Sequence, residues 1–157
     1  MKNRDHAGVF VPPPLIYVIP ILAAVVIQSR SKWPISDVYP MVLVFCGFFA
    51  IGMGMAIGFA SVYGFQQANT TILPAGRPTT AIVQRGPYRF TRNPMYLGMA
   101  CAYFGVSLLL NNLWALVLLP FVLGVVDLAV IRREEGYLTA KFGKPYRDYV
   151  GRVRRWL

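Results

Sequence analysis

The stretch Gly86-Pro87-Tyr88-Arg89-Phe90-Thr91-Arg92-Asn93-Pro94-Met95-Tyr96-Leu97-Gly98 joins a basic, turn-rich loop to an apolar helix. At Asn93-Pro94 the local chemistry sets a helix start. Asparagine caps through its side-chain oxygen, and proline fits the first helical position, where no backbone donor is needed. The unpaired amides and dipole of such a start favour an anion, and Arg92 adds a fixed positive charge beside it. Gly98, one turn inward, is expected to let a ligand approach the backbone. Further along, Arg132-Arg133-Glu134-Glu135 again stands where an apolar run gives way to charge.

Working outward, the chain is too apolar for an ordinary soluble domain: 56% of its residues are hydrophobic, 14% are charged, and the mean hydropathy is +0.50. The apolar residues are segregated into runs near the roughly 20 residues that cross a hydrocarbon core about 30 Å thick. The reading is a single all-α integral membrane domain over residues 1–157 with four transmembrane helices, at about 8–27, 38–62, 94–111 and 113–131. A loop over 66–93 and a C-terminal segment over 132–157 complete it. The first run is interrupted by Pro12, Pro13, Pro14 and Pro20 and has no small-residue cleavage pattern, so it is expected to be retained rather than removed as a signal peptide. The third run is the shortest. With Asn111-Asn112 it forms a tight hairpin with the fourth, whether or not that hairpin crosses the whole bilayer.

Fourteen of the sixteen basic residues fall before the first span, between the second and third, or after the fourth; only Arg30 and Lys32 lie on the other side. The tendency of cytoplasmic segments to retain Lys and Arg then places both termini in the cytoplasm of a bacterial or archaeal cell, with the protein in the inner membrane. This topology, together with contact with anionic membrane lipids, accounts for the net charge of +10 without a nucleic-acid partner, and no nucleic-acid motif accompanies the charge. Cys46 and Cys101 sit inside spans and outside any CxxC or Cys/His cluster. His6 is the only histidine, so neither a metal centre nor a histidine base is expected. Span two carries Ala50, Gly54 and Gly58 on one helical face. That face suits close packing, within the chain or in a homodimer.

The loop is too long and too rich in turn residues for a minimal connector. Pro74, Ala75-Gly76-Arg77-Pro78 and Gly86-Pro87 punctuate it, and Thr79 to Val83 is read as a short extended or helical piece. Glu134 and Glu135, two of only six acidic residues, stand immediately beyond span four on the same side of the membrane as Arg92. Asp127, inside span four, costs roughly 2.5–3.5 kcal/mol as an ion at the bilayer centre and needs water, a proton or a partner. It either shares a cavity with Glu134, seven residues on, or reaches for the interface. Beyond Glu135, Leu138, Phe142, Tyr146, Tyr149, Val150 and Val153 recur at helical spacing against Lys141, Lys144, Arg147 and Arg152. Gly143 and Pro145 divide this amphipathic segment, so that it folds back over the loop as a lid on a polar pocket.

Gly86-Pro87-Tyr88, Arg92-Asn93-Pro94-Met95-Tyr96-Leu97-Gly98, Glu134-Glu135, Leu138, Phe142-Gly143 and Tyr146, in that order, resemble the isoprenylcysteine carboxyl methyltransferase family, and phospholipid methyltransferases share a similar pattern. The resemblance covers roughly residues 66–157. It implies an integral membrane methyltransferase that uses S-adenosyl-L-methionine. By the same resemblance Ala81, Ile82, Val83 and Tyr88 border the cofactor, Asn93, Pro94 and Tyr96 shape its polar end, and Arg92, Gly98 and Glu134 belong to the binding set. Asn93 stands where relatives often carry histidine and does not titrate near neutral pH. Val130 stands where prenylcysteine-acting relatives carry arginine, so prenylcysteine is not carried over as substrate. The expected partner is a lipophilic or small methyl acceptor, a carboxylate, thiol or amine, entering from the bilayer. A base is needed only for an ammonium acceptor, and Asp127 and Glu135 are the candidates. Two rival readings are a membrane reductase of related fold using NADPH, which lacks a GxGxxG loop here, and a non-catalytic membrane scaffold.

Overall fold

The computed structural model describes residues 12–70 and 79–157. Lys2, Arg4, His6, the start of the first apolar run before Pro12, Pro74 and the Ala75-Gly76-Arg77-Pro78 turn lie outside the described residues. Six α-helices make up the described fold: α1 (Pro13–Arg30), α2 (Pro40–Gln67), α3 (Pro94–Leu109), α4 (Leu113–Val126), α5 (Arg132–Phe142) and α6 (Lys144–Arg152). A 3-10 turn at Gly86–Arg89 precedes α3, and a π-helical turn at Asp127–Ile131 joins α4 to α5. Prolines stand in the first turn of α1, α2, α3 and α6, where the missing amide proton costs no helical hydrogen bond.

The number of spans and several helix boundaries differ from the sequence reading. Among the described residues three helices, not four, are long and apolar enough to span a bilayer: Pro13–Arg30, Pro40–Gln67 and the continuous Leu113–Phe142; α3 is a shorter apolar helix. Its 16 residues rise about 24 Å, short of a hydrocarbon core of about 30 Å. The fourth helix does not stop at Ile131 where charge begins, because Arg132, Arg133, Glu134 and Glu135 all have good helix propensity and carry it on to Phe142. Gly143, at φ +60°, ends it in a conformation that a residue with Cβ rarely adopts.

The helices pack as membrane helices do, with small or shape-matched residues inside and bulky apolar ones outside. On α2, Gly47, Ala50, Gly54 and Ser61 are buried, while Phe45, Phe48, Phe49 and Phe59 are exposed. Such a continuous exposed apolar surface is a lipid-facing one. Between α1, α3 and α4 a core forms from Tyr17, Ala24, Tyr96, Ala100, Tyr103, Val122 and Val126. The Tyr17 hydroxyl donates to the Tyr96 carbonyl at 3.0 Å, which locks α1 against α3.

The α2–α3 contact is a glycine seam. A Cβ on Gly54 would lie 2.5 Å from the Gly98 carbonyl oxygen, one on Gly98 2.7 Å from the Gly54 carbonyl oxygen, and one on Gly105 2.6 Å from the Gly47 carbonyl oxygen. Gly98 therefore serves helix packing and not ligand approach, which corrects the role expected of it. The face that might have served a homodimer is occupied within the chain at Ala50 and Gly54. Gly58, the third member of that row, has open space where its Cβ would be. Gly54→Ala is expected to force the two backbones apart and destabilise by about 1–3 kcal/mol, whereas Gly58→Ala removes a helix-interior glycine and leaves stability unchanged or raised. Thermal unfolding of both variants in detergent checks this; equal midpoints would contradict the seam.

Polar groups are gathered at the two ends of the bundle. At one end Asn111, at φ +45°, makes the tight α3–α4 turn and accepts from the Ile35 and Ser36 amides at 2.8 and 3.1 Å, while Asn112 caps α4 through Ala115. Trp33 and Trp114 meet edge to face at 4.8 Å there. The loop after α2, the start of α3 and α5–α6 all lie at the opposite end. The rest of the chemistry is there.

Candidate cofactor site

At that end the chain after α6 docks onto the loop before α3. The Arg92 amide donates to the Arg154 carbonyl at 3.0 Å; the Thr91 hydroxyl and the Asn93 side-chain amide donate to the Arg155 carbonyl at 3.0 and 2.9 Å. Tyr149 of α6 donates to the Tyr88 carbonyl at 2.8 Å. Asn93 precedes α3 as expected, but its side chain does not cap the helix; it holds the tail instead. The fold-back expected from Gly143 and Pro145 is thus present, fastened by one backbone and three side-chain donors onto backbone carbonyls.

Charged side chains complete the clasp. Arg92 Nη1 lies 3.0 Å from Glu135 Oε1, and Arg155 Nη2 lies 2.6 Å from Glu135 Oε2. A single carboxylate therefore joins the loop, α5 and the tail. Arg155 Nη1 also reaches Asp127 Oδ1 at 3.2 Å, and Arg132 Nε reaches Asp127 Oδ2 at 3.0 Å. Asp127 has found partners in two guanidinium groups; it neither lines the cleft nor shares a cavity with Glu134, which corrects that expectation. The Glu135 carboxylate beside Arg155 raises the guanidinium pKa further.

Below the clasp lies a cleft of about 810 Å³, counting the space at its mouth. Of the residues singled out in the sequence, Ala81, Ile82, Val83, Tyr88, Arg92, Asn93, Tyr96, Glu134 and Glu135 line it; Pro94, Gly98 and Asp127 do not. Pro94 is fully buried and starts α3. Thr79 to Val83 takes no regular secondary structure and crosses one wall as irregular backbone. Leu138, Tyr146 and Tyr149, read in the sequence as the apolar stripe of the lid, form another wall. Phe65, Met95 and Tyr137 were not foreseen. Phe65 enters because α2 runs past Val62 to Gln67 and brings its ring edge to face against Tyr88 at 5.5 Å.

Two features of the cleft point to a polar ligand. Tyr96 donates to Glu134 Oε1 at 2.8 Å, so this carboxylate is positioned from α3 while Glu135 is held by the two arginines. Arg92 Nε is buried and has no hydrogen-bond partner among the described residues. Such an orphan donor on a wall of a cleft is one a bound acceptor would satisfy. The phenols of Tyr88 and Tyr149 are pushed well above their usual range by burial, and that of Tyr146 to about 12, so all three stay protonated and serve as donors rather than bases.

Three long apolar helices among the described residues mark an integral membrane protein, and a cleft bordered by charged and aromatic side chains lies at one end of the bundle. Residues 42–145 match the family model for phospholipid methyltransferase, and the chain belongs to that family. It is 44% identical over 64 residues to an uncharacterized protein of Haemophilus influenzae, a match that takes in 40% of this chain and the whole of that protein. Over 72 residues it is 39% identical to the protein-S-isoprenylcysteine O-methyltransferase of Saccharomyces cerevisiae, a match covering 46% of this chain but only 30% of the yeast protein. No solved structure gives a significant match. The resemblance to membrane methyltransferases drawn from the motifs therefore holds.

Proposed function

We propose that the protein is an S-adenosyl-L-methionine-dependent methyltransferase of the inner membrane, acting on a lipophilic or small acceptor that reaches the cleft from the bilayer. The supporting observation is that Arg92 and Glu134, on segments far apart in sequence, line one cleft and bring a guanidinium and a carboxyl group to it. S-adenosylmethionine carries a carboxylate, an ammonium, ribose hydroxyls and a sulfonium, and so needs cationic donors and acidic acceptors together. The buried Arg92 Nε suits the carboxylate, and Glu134, oriented by Tyr96, suits a cationic group. The apolar and aromatic wall of Ile82, Val83, Leu138 and Tyr146 suits the adenine and excludes water.

When bound, the cofactor would supply a sulfonium-activated methyl group to the acceptor's lone pair, with a neutral thioether as the leaving group. That leaving group needs no proton, so the protein's work is alignment and desolvation. A carboxylate or thiolate acceptor needs no base. For an ammonium acceptor the base falls to a cleft carboxylate, Glu134 or Glu135; Asp127, outside the cleft and bound by Arg132 and Arg155, is dropped from that role. The distribution of Lys and Arg between the two ends of the bundle supports a cytoplasmic cleft and cytoplasmic termini.

Calorimetric titration of the detergent-purified protein with S-adenosylmethionine and with NADPH tests the reading. Binding of S-adenosylmethionine and not NADPH is expected. The reverse supports the reductase, and heat from neither supports a scaffold.

A further inference from the structure

The two carboxyl groups that border the cleft are not equivalent. Glu135 spends most of its acceptor capacity on cations: Oε1 accepts from Arg92 Nη1 at 3.0 Å and from Arg155 Nε at 3.1 Å, and Oε2 accepts from Arg155 Nη2 at 2.6 Å. Of a carboxylate's roughly four lone-pair sites, about one is left. Glu134 takes part in no ion pair among the described residues, and its hydrogen bond there comes from the neutral Tyr96 hydroxyl at 2.8 Å. The buried phenol of Tyr88 lies within electrostatic reach of it. Consecutive side chains on a helix point about 100° apart, so the two groups face different parts of the cleft they share.

This division bears on how S-adenosylmethionine is held, and the inference rests on the proposal that the cleft binds it. The ligand's carboxylate and ammonium sit on one carbon and must be met side by side. Arg92 Nε, buried and without a partner among the described residues, offers a donor; the remaining site on Glu135, 3.0 Å from the same guanidinium, offers an acceptor beside it. The sulfonium stands a few bonds further along the ligand. It has no N–H or O–H to donate, so what it needs from the protein is a negative charge close by and shielded from water. Glu134, set from the first turn of α3 by Tyr96 and without a cationic partner among the described residues, meets that need.

We propose that Glu134 is the specificity-determining residue of the cleft: it recognises the sulfonium, and so favours the methyl-bearing cofactor over the demethylated product, S-adenosylhomocysteine. Arg92 and Glu135 hold the amino-acid end that both molecules share. Glu134 meets a charged sulfur before transfer and a neutral thioether after it, so its attraction is lost with the methyl group and the spent cofactor is released.

Calorimetric titration of the detergent-purified full chain tests it, at about pH 8, where carboxyl groups are ionised. The ligands are S-adenosylmethionine, S-adenosylhomocysteine and sinefungin, which carries an ammonium where the sulfonium stands. Glu134→Gln is expected to weaken S-adenosylmethionine and sinefungin by about tenfold or more, the scale of one charged contact, and to leave S-adenosylhomocysteine nearly unchanged. An equal loss for all three ligands, or no loss, overturns the proposal and leaves the cofactor reading intact; a wild type that binds none of them overturns both. If Glu134→Gln does not fold, Glu134→Asp, which keeps the charge but draws it back, is expected to narrow the preference for sulfonium over thioether, and an unchanged ratio overturns the proposal.

Discussion

Arg155→Ala is expected to lower the affinity for S-adenosylmethionine by more than tenfold, although Arg155 does not line the cleft. Its guanidinium joins Glu135 at 2.6 Å to Asp127 at 3.2 Å, and its carbonyl accepts from Thr91 and Asn93. Without the side chain, Glu135 keeps only Arg92 of its two arginine partners, and the tail loses its charged anchor. Hydrogen bonds to charged groups are worth about 1.5–3 kcal/mol each, and a tenfold change in affinity needs only about 1.4 kcal/mol. The side chain is one-third exposed, so solvent screening keeps the loss near the lower figure for each bond. The control is Lys144→Ala, which removes the exposed Lys144–Asp148 pair at 2.9 Å on the same tail. Exposed pairs of this kind contribute about 0–1 kcal/mol, so binding is expected to be unchanged. If both variants bound as the wild type does, the clasp would have no part in holding the ligand.

Glu134→Gln is expected to have an effect as large, by a different route. The substitution keeps size and shape and leaves the Tyr96 hydroxyl an oxygen to donate to, but it removes the Glu134 carboxylate and leaves Glu135, held by two arginines, as the acidic group in the cleft. A cationic group that has lost a charged partner forfeits about 1.5–3 kcal/mol, or roughly ten- to a hundredfold in affinity. Tyr96→Phe tests the orientation separately: the carboxylate stays but loses the 2.8 Å bond that positions it, and a smaller loss follows. Titration calorimetry on the two variants separates charge from placement. A Glu134→Gln protein that bound as tightly as the wild type would remove Glu134 from the binding set.

The membrane class was legible because apolar runs of span length have few other physical meanings, and the start of α3 was legible because proline at a first helical position has one preferred place. The meeting of the Arg92 and Glu134-Glu135 segments was inferred from charge topology and is present as the 3.0 Å Arg92–Glu135 pair. What was not legible required knowing which element lies opposite. Helical periodicity placed Gly54 on a face but did not say that Gly98 faces it, and so Gly98 was given to the ligand instead of the seam. Asn93 has the chemistry of a cap, yet its side-chain NH2 donates to a backbone carbonyl from the far end of the chain and its oxygen makes no cap bond, so tertiary context decides. Asp127 and Arg155 are 28 residues apart, and Arg155 read as one more cation on an amphipathic tail. Only the fold-back at Gly143, whose positive φ could be suspected from the glycine but not its direction, brings the two together.

The central claim is that the loop before α3 and the α5–α6 segment enclose one molecule of S-adenosylmethionine. Hydrogen–deuterium exchange on the detergent-solubilised protein, with and without S-adenosylmethionine, measures this directly. Slower exchange is expected together in peptides from 79–96 and from 134–149, with the α3–α4 turn at Asn111-Asn112 unaffected. Protection of one segment without the other, or of neither, would contradict the account.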